Sequence, residues 1–180
     1  MLNPGHTEKS VGAVRGTLQE YTFNEFQAQV LQKTLADAGH QVTVMRGENL
    51  SAIGQASKGY DVFISLHLNA CNKSSNYTCC CVQDYLYHST NKSAAVASKC
   101  AIAMGTALGL KIFDPDSKFP GVRKSRLRVL TGTMRAQCPV AFLSEPFFMD
   151  CYTDPKMVYN LCEVAMIALA KTILSVEITE

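Results

Sequence analysis

Apolar and polar positions along this chain follow two periods in turn, and the switches between them mark strands and helices. Met1 to Asn3 reads as a very short strand, ended by Pro4 and Gly5, a pair that suits a turn and cannot continue a ladder. Thr7 to Thr17, rich in Gly, Ser and Thr, reads as a loop. Phe23, Phe26, Val30, Leu31 and Leu35 then form the apolar stripe of an amphipathic helix that closes at Ala38 and Gly39. Val42 and Val44 alternate with polar neighbours over Gln41 to Arg46, a strand, and a short helix is expected around Ser51 to Lys58. Val62, Phe63, Ile64 and Leu66 make a nearly continuous apolar run, the pattern of a strand covered on both faces.

The second half repeats the alternation. Asn72 to Asn76 is polar and turn-like, and Thr78 to Tyr87, β-branched, aromatic and cysteine-rich, predicts a strand toward the sheet edge. Ala94, Val96, Ala97, Ile102, Met104 and Leu108 predict a long helix over Ser93 to Leu108, capped by Gly109. Lys111 to Arg126, with two prolines, Gly121 and many charges, reads as an exposed excursion over a site. Leu127 to Leu130 reads as a short strand, and Pro139 to Ser144 as a buried one that Pro146 stops directly after Glu145. Pro155 opens a last, largely apolar helix that runs through Ile173. The predicted fold class is α/β: a single layered domain spanning residues 1–180, with a twisted, mostly parallel sheet of about six strands and helices on both faces.

Composition narrows the function. Lys plus Arg is 17 and Asp plus Glu is 15, so the net charge is +2 with no block of one sign, which argues against a nucleic-acid groove or a polybasic membrane tether. No run approaches the roughly 18 apolar residues of a membrane span. The amino terminus shows no basic segment followed by an apolar one, so the expectation is synthesis in the cytoplasm without a signal peptide of its own; the chain is also expected to be a monomer. Of the eight cysteines, Cys79, Cys80 and Cys81 are consecutive and no C-x-x-C pair exists, so they are expected to be reduced, buried small hydrophobes. His40 and His88 belong to no motif and read as surface residues.

Candidate chemistry collects at the ends of elements. His67 falls where the apolar run 62–66 gives out, the place where open α/β sheets gather ligands. His6 lies just past the first strand, Glu145 just past a late one, and Glu20 where the first helix begins. A catalytic zinc site takes three N or O ligands and leaves a fourth position for water; two histidines and a carboxylate meet that need, and a second carboxylate can serve as base. On residue types alone, a histidine at a strand end is more often a hydrogen-bonded structural residue than a ligand, and Glu20 is open to reading as a first-turn carboxylate favouring the helix dipole.

The local words are more specific. N-P-G-H at 3–6, Glu20 followed four residues on by Asn24, S-L-H-L-N-A at 65–70 and S-E-P-F-F at 144–148 occur in that order, with R-G-E-N-L at 46–50 and L-R-V-L at 127–130 between them. Together they resemble the zinc-dependent N-acetylmuramoyl-L-alanine amidases of the amidase 3 type, over nearly the whole chain. The resemblance implies one Zn2+ per chain held by His6, Glu20 and His67, with Glu145 as general base; Asn69 is expected to touch substrate or fix its loop. The implied substrate is peptidoglycan, cut between N-acetylmuramic acid and L-alanine. The implied setting is the cell wall, on the periplasmic or extracellular side, as for an endolysin or autolysin. The chain departs from the pattern at Asn3, Thr7, the 51–58 helix, which lacks an arginine, and the Asn76–Tyr77 region, all outside the implied ligands and base. Two other readings are a zinc hydrolase of related fold cutting within the stem peptide, and a wall-binding domain without turnover.

Overall fold

The computed structural model describes residues 1–84, 88–114 and 118–177. The first strand, β1 (Leu2–Pro4), is buried along its length and pairs in parallel with β4 (Val62–Leu66), Leu2 opposite Ile64 and Pro4 opposite Leu66. Between them the chain forms a two-stranded hairpin of β2 (Val14–Arg15) and β3 (Leu18–Gln19), then helix α1 (Glu20–Asp37) and the short helix α2 (Leu50–Gln55). The stretch expected to be loop up to Thr17 thus contains a strand, turning at Gly16, whose φ of +58° a glycine adopts without penalty. The strand expected over Gln41 to Arg46 is reduced to one bridge, Leu2 to Val44, held by Leu2 N donating to Thr43 O and Met45 N to Leu2 O. With only three residues in β1, there is little edge for it to pair with.

The remaining elements are β5 (Tyr77–Gln83), α3 (His88–Leu108), β6 (Lys111–Ile112), β7 (Val122–Ser125), α4 (Arg128–Arg135), β8 (Val140–Glu145) and α5 (Pro155–Ser175). The sheet runs β1-β4-β8-β5-β6, and β7 also pairs with β5, further along the same edge as β6. Every pairing in this six-stranded sheet is parallel except that of β5 with β8. Helices cover both faces, as the alternation predicts. On one, Leu31, Leu35, Met104, Met166 and Leu169 pack on Ile64, Leu66 and Phe142; on the other, Ile53, Val129 and Leu130 pack on Phe63 and Leu143.

Three expectations need correction. Leu127 to Leu130 is the cap and first turn of α4 rather than a strand. Four residues are too few to separate the two periods, and the helix follows from its tight packing on α2: a β-carbon on Gly54 would lie 2.1 Å from Val129 O, and one on Gly132 would lie 2.5 Å from Ser51 O. β5, expected toward the sheet edge, lies one strand in from it, paired with β8 on one side and with β6 and β7 on the other; its expected continuation through 85–87, and the side chain of His88, lie outside the described residues. The segment expected to arch over the site instead supplies β6 and β7, which pair with the outer backbone groups of β5; its residues 115–117 lie outside the described residues. Helix α5 is long and apolar enough to match a membrane span by length and composition, although two lysines and a glutamate interrupt it; its Val158, Cys162, Ala165, Met166 and Leu169 are buried, and it packs between α1 and α3.

Candidate metal centre and its carboxylate neighbour

Three elements deliver three side chains to one point. His67 follows β4, and its N–H still donates to Ser144 O at 3.0 Å, so the sheet holds its backbone. His6 follows β1 by way of Gly5, whose N–H donates to Leu66 O at 2.9 Å; His6 itself has a φ of +64°, a left-handed conformation that turns the chain out of the sheet. Glu20 is the first residue of α1 and is 4% exposed. Its Oε2 lies 3.2 Å from His6 Nε2 and its Oε1 lies 3.1 Å from His67 Nδ1, with the two rings edge to face at 4.9 Å.

The backbone is shaped around these groups. A β-carbon on Gly5 would lie 2.2 Å from the His67 ring, and one on Gly12 would lie 2.4 Å from Glu20 Oε2 and 2.6 Å from the His6 ring. Ala13 N donates to Glu20 Oε2 at 2.9 Å, and Leu68 N to Oε1 at 3.0 Å. Asn24, fully buried one turn along α1, donates from Nδ2 to both Gly5 O and Glu20 Oε1, which ties the helix to the turn carrying His6. Burial alone would raise the Glu20 carboxyl, but the hydrogen bonds from His6 and His67 overcome it and hold it well below the usual carboxylate range. The same bond from Glu20 outweighs burial at His6 and raises that imidazole.

Two ring nitrogens and a carboxylate oxygen lie within 4.8 Å of one another. That donor set suits a tetrahedral zinc ion with one position left open, and the two glycines leave room for the side chains that supply it. Glu145 stands alongside. It follows the register pair Leu66 and Ser144 by one residue on β8, as His67 does on β4, so both side chains leave the same face of adjacent strands. Burial raises its carboxyl, against a hydrogen bond from Cys79 that lowers it. Asn69, expected near substrate, donates from Nδ2 to Glu145 Oε2 at 2.9 Å. His40 is exposed.

The family model described as N-acetylmuramoyl-L-alanine amidase, Amidase_3, matches residues 1–172. The chain belongs to that amidase family. Solved amidases share its fold: Ami1 of Mycobacterium abscessus, 15% identical, with a TM-score of 0.78 over 97% of this chain and 95% of that one; AmiC2 of Nostoc punctiforme, 21% identical, 0.74 over 96% and 93%. The catalytic domain of the CD27L endolysin targeting Clostridia difficile is 24% identical, 0.70 over 96% and 94%. No curated protein matches this amidase in sequence.

Three contributors to the amidase site escaped the sequence reading. Gly12 sat in a stretch read as loop, and only its φ of +74° and its closeness to Glu20 reveal its role. Cys79 was indistinguishable from its neighbours in a cysteine run. Asp150, 7% exposed, accepts from Cys71 N and Lys73 N through Oδ2 and so pins the loop after His67, yet no local pattern marks it.

Proposed function

We propose that this amidase cleaves the bond between the lactyl carbonyl of N-acetylmuramic acid and L-alanine by zinc-activated water, with His6, Glu20 and His67 as metal ligands and Glu145 as general base. The single observation that carries the reading is the convergence of two imidazole nitrogens and one carboxylate beside a second carboxylate on the neighbouring strand. When bound, zinc would polarise the amide carbonyl and lower the pKa of water toward about 7. Glu20 faces both rings, His6 Nε2 at 3.2 Å and His67 Nδ1 at 3.1 Å, so zinc would take the place of the protons these atoms share. Glu145, a stronger base than a solvated carboxylate because it is buried, takes the proton of the attacking water and delivers it to the departing alanine nitrogen. We assign the reaction to cell-wall breakdown, the lytic role implied by the sequence words.

Mass spectrometry of peptidoglycan digested by the purified chain tests this. The expected products carry a free L-alanine amino group and no new reducing sugar, and their formation stops in a chelator and returns with zinc. New amino groups within the stem peptide would establish a peptidase instead, and wall binding without products would establish a binding domain.

A further inference from the structure

Cys79 and Glu145 are register partners on the antiparallel strands β5 and β8, so their side chains leave the same face of the sheet. Cys79 Sγ lies 3.3 Å from Glu145 Oε2, the oxygen that Asn69 Nδ2 reaches at 2.9 Å. Cys79 is fully buried and Asn69 Nδ2 is 4.0 Å from its sulfur, so the two donors sit side by side on one carboxylate oxygen. Among the described residues no donor reaches the other oxygen, Oε1. Asn69 is itself fixed: its N–H donates to Phe147 O, its carbonyl accepts from Met149 N, and its side-chain oxygen accepts from Ala70 N.

We propose that Cys79 is a positioning residue of this amidase: its thiol and the Asn69 amide clamp Glu145 Oε2 and leave Oε1 as the oxygen that takes the water's proton. The inference rests on Glu145 being the base. In that step a water O–H bond breaks and an Oε1–H bond forms, while Oε2 keeps both donors. Two donors on one oxygen stop the carboxylate from rotating, the kind of support a reacting group needs. A thiol is a weak donor, so it holds the base while withdrawing little of its basicity. The Cys81 thiol, burial and the Glu145 charge all push the Cys79 thiol upward, which keeps its proton in place. His67 and Arg123 draw the Glu145 carboxyl down while burial and Glu20 push it up, and a replacement at position 79 alters none of these four.

The test uses the zinc-loaded full chain. Cys79→Ala is expected to lower kcat about tenfold, the scale of one hydrogen bond to a charged group, with KM and zinc content unchanged. The acid limb of its kcat/KM profile should move to higher pH, and Cys79→Ser should restore the rate and bring the limb back to its wild-type position or somewhat below it. Equal losses in Ala and Ser, or an unaltered Ala variant, would overturn the proposal. Titration of the 13C-labelled Glu145 carboxylate needs neither a folded Cys79→Ala variant nor turnover. It should move down in Cys79→Ser, whose hydroxyl donates more strongly, and up in Asn69→Ala; no movement in either overturns the clamp. If these titrations move as stated while the wild type cuts no muramoyl-alanine bond, the base assignment fails and the clamp geometry stands.

Discussion

A β-carbon at Gly12 would lie 2.4 Å from Oε2 of Glu20, so a residue in the loop before the hairpin sets the space in which the proposed first-helix ligand operates. Gly12 also has a φ of +74°, which an L side chain resists. Gly12→Ala should therefore yield a folded chain with well under one zinc per molecule and at least about 100-fold less amidase activity, the scale of losing the catalytic apparatus. Metal analysis of the purified variant checks it, and full zinc occupancy would count against the proposed ligand set.

Glu145→Gln should keep the metal and lose about 100-fold or more in kcat. Because burial raises this carboxyl, the wild-type rate should fall as pH drops through a value above the ordinary glutamate range, where the base becomes protonated. A pH–rate series on zinc-loaded enzyme reads that limb, and a Gln variant that turns over normally would refute the base assignment.

Zinc binding should weaken in acid. The bond to Glu20 raises the His6 imidazole, so the metal competes with a proton there up to a higher pH than it would at a free histidine. The metal-free protein shows the linked effect on stability. Raised His6 stabilises the fold below its ordinary pKa, and this contribution disappears as pH rises through the elevated value; depressed Glu20 contributes above its ordinary pKa and loses that contribution as pH falls toward its lowered one. Chelator competition across the pH range and thermal melts of the metal-free chain measure the two effects.

Gly54→Ala should destabilise the fold without touching the centre. The added carbon would meet Val129 O at 2.1 Å and force α2 away from α4, an overpacking cost of about 1–3 kcal/mol. Denaturant unfolding should show that loss, with zinc content and kcat retained in the folded fraction.

Sequence pattern served the layered architecture well, and it located the candidate ligands at the ends of elements, because each depends on where an unambiguous period ends. The run Val62, Phe63, Ile64, Leu66 left no other place for His67 than the rim of the sheet, and the stripe beginning at Phe23 put Glu20 at a helix start. Pattern failed where elements are short or owe their form to partners. Leu127 to Leu130 became helical through contact with α2, and Lys111 to Arg126 split into two strands because β5 had backbone groups to satisfy. The Cys79 contact to Glu145 needs antiparallel register between strands distant in sequence, and neither composition nor spacing encodes that.

The change of strand direction between β8 and β5, with β6 and β7 running alongside β5, has a consequence for how the surroundings of His67 can diversify. Since β4 ends and β5 begins at the same rim, the link from His67 to Asn76 returns directly instead of crossing the sheet through a helix. Extra residues inserted beyond Lys73, where the Asp150 anchor lets go, would enlarge the loop between His67 and β5 while leaving every ladder in register, so this is the natural point for the chain to acquire a different choice of cell wall.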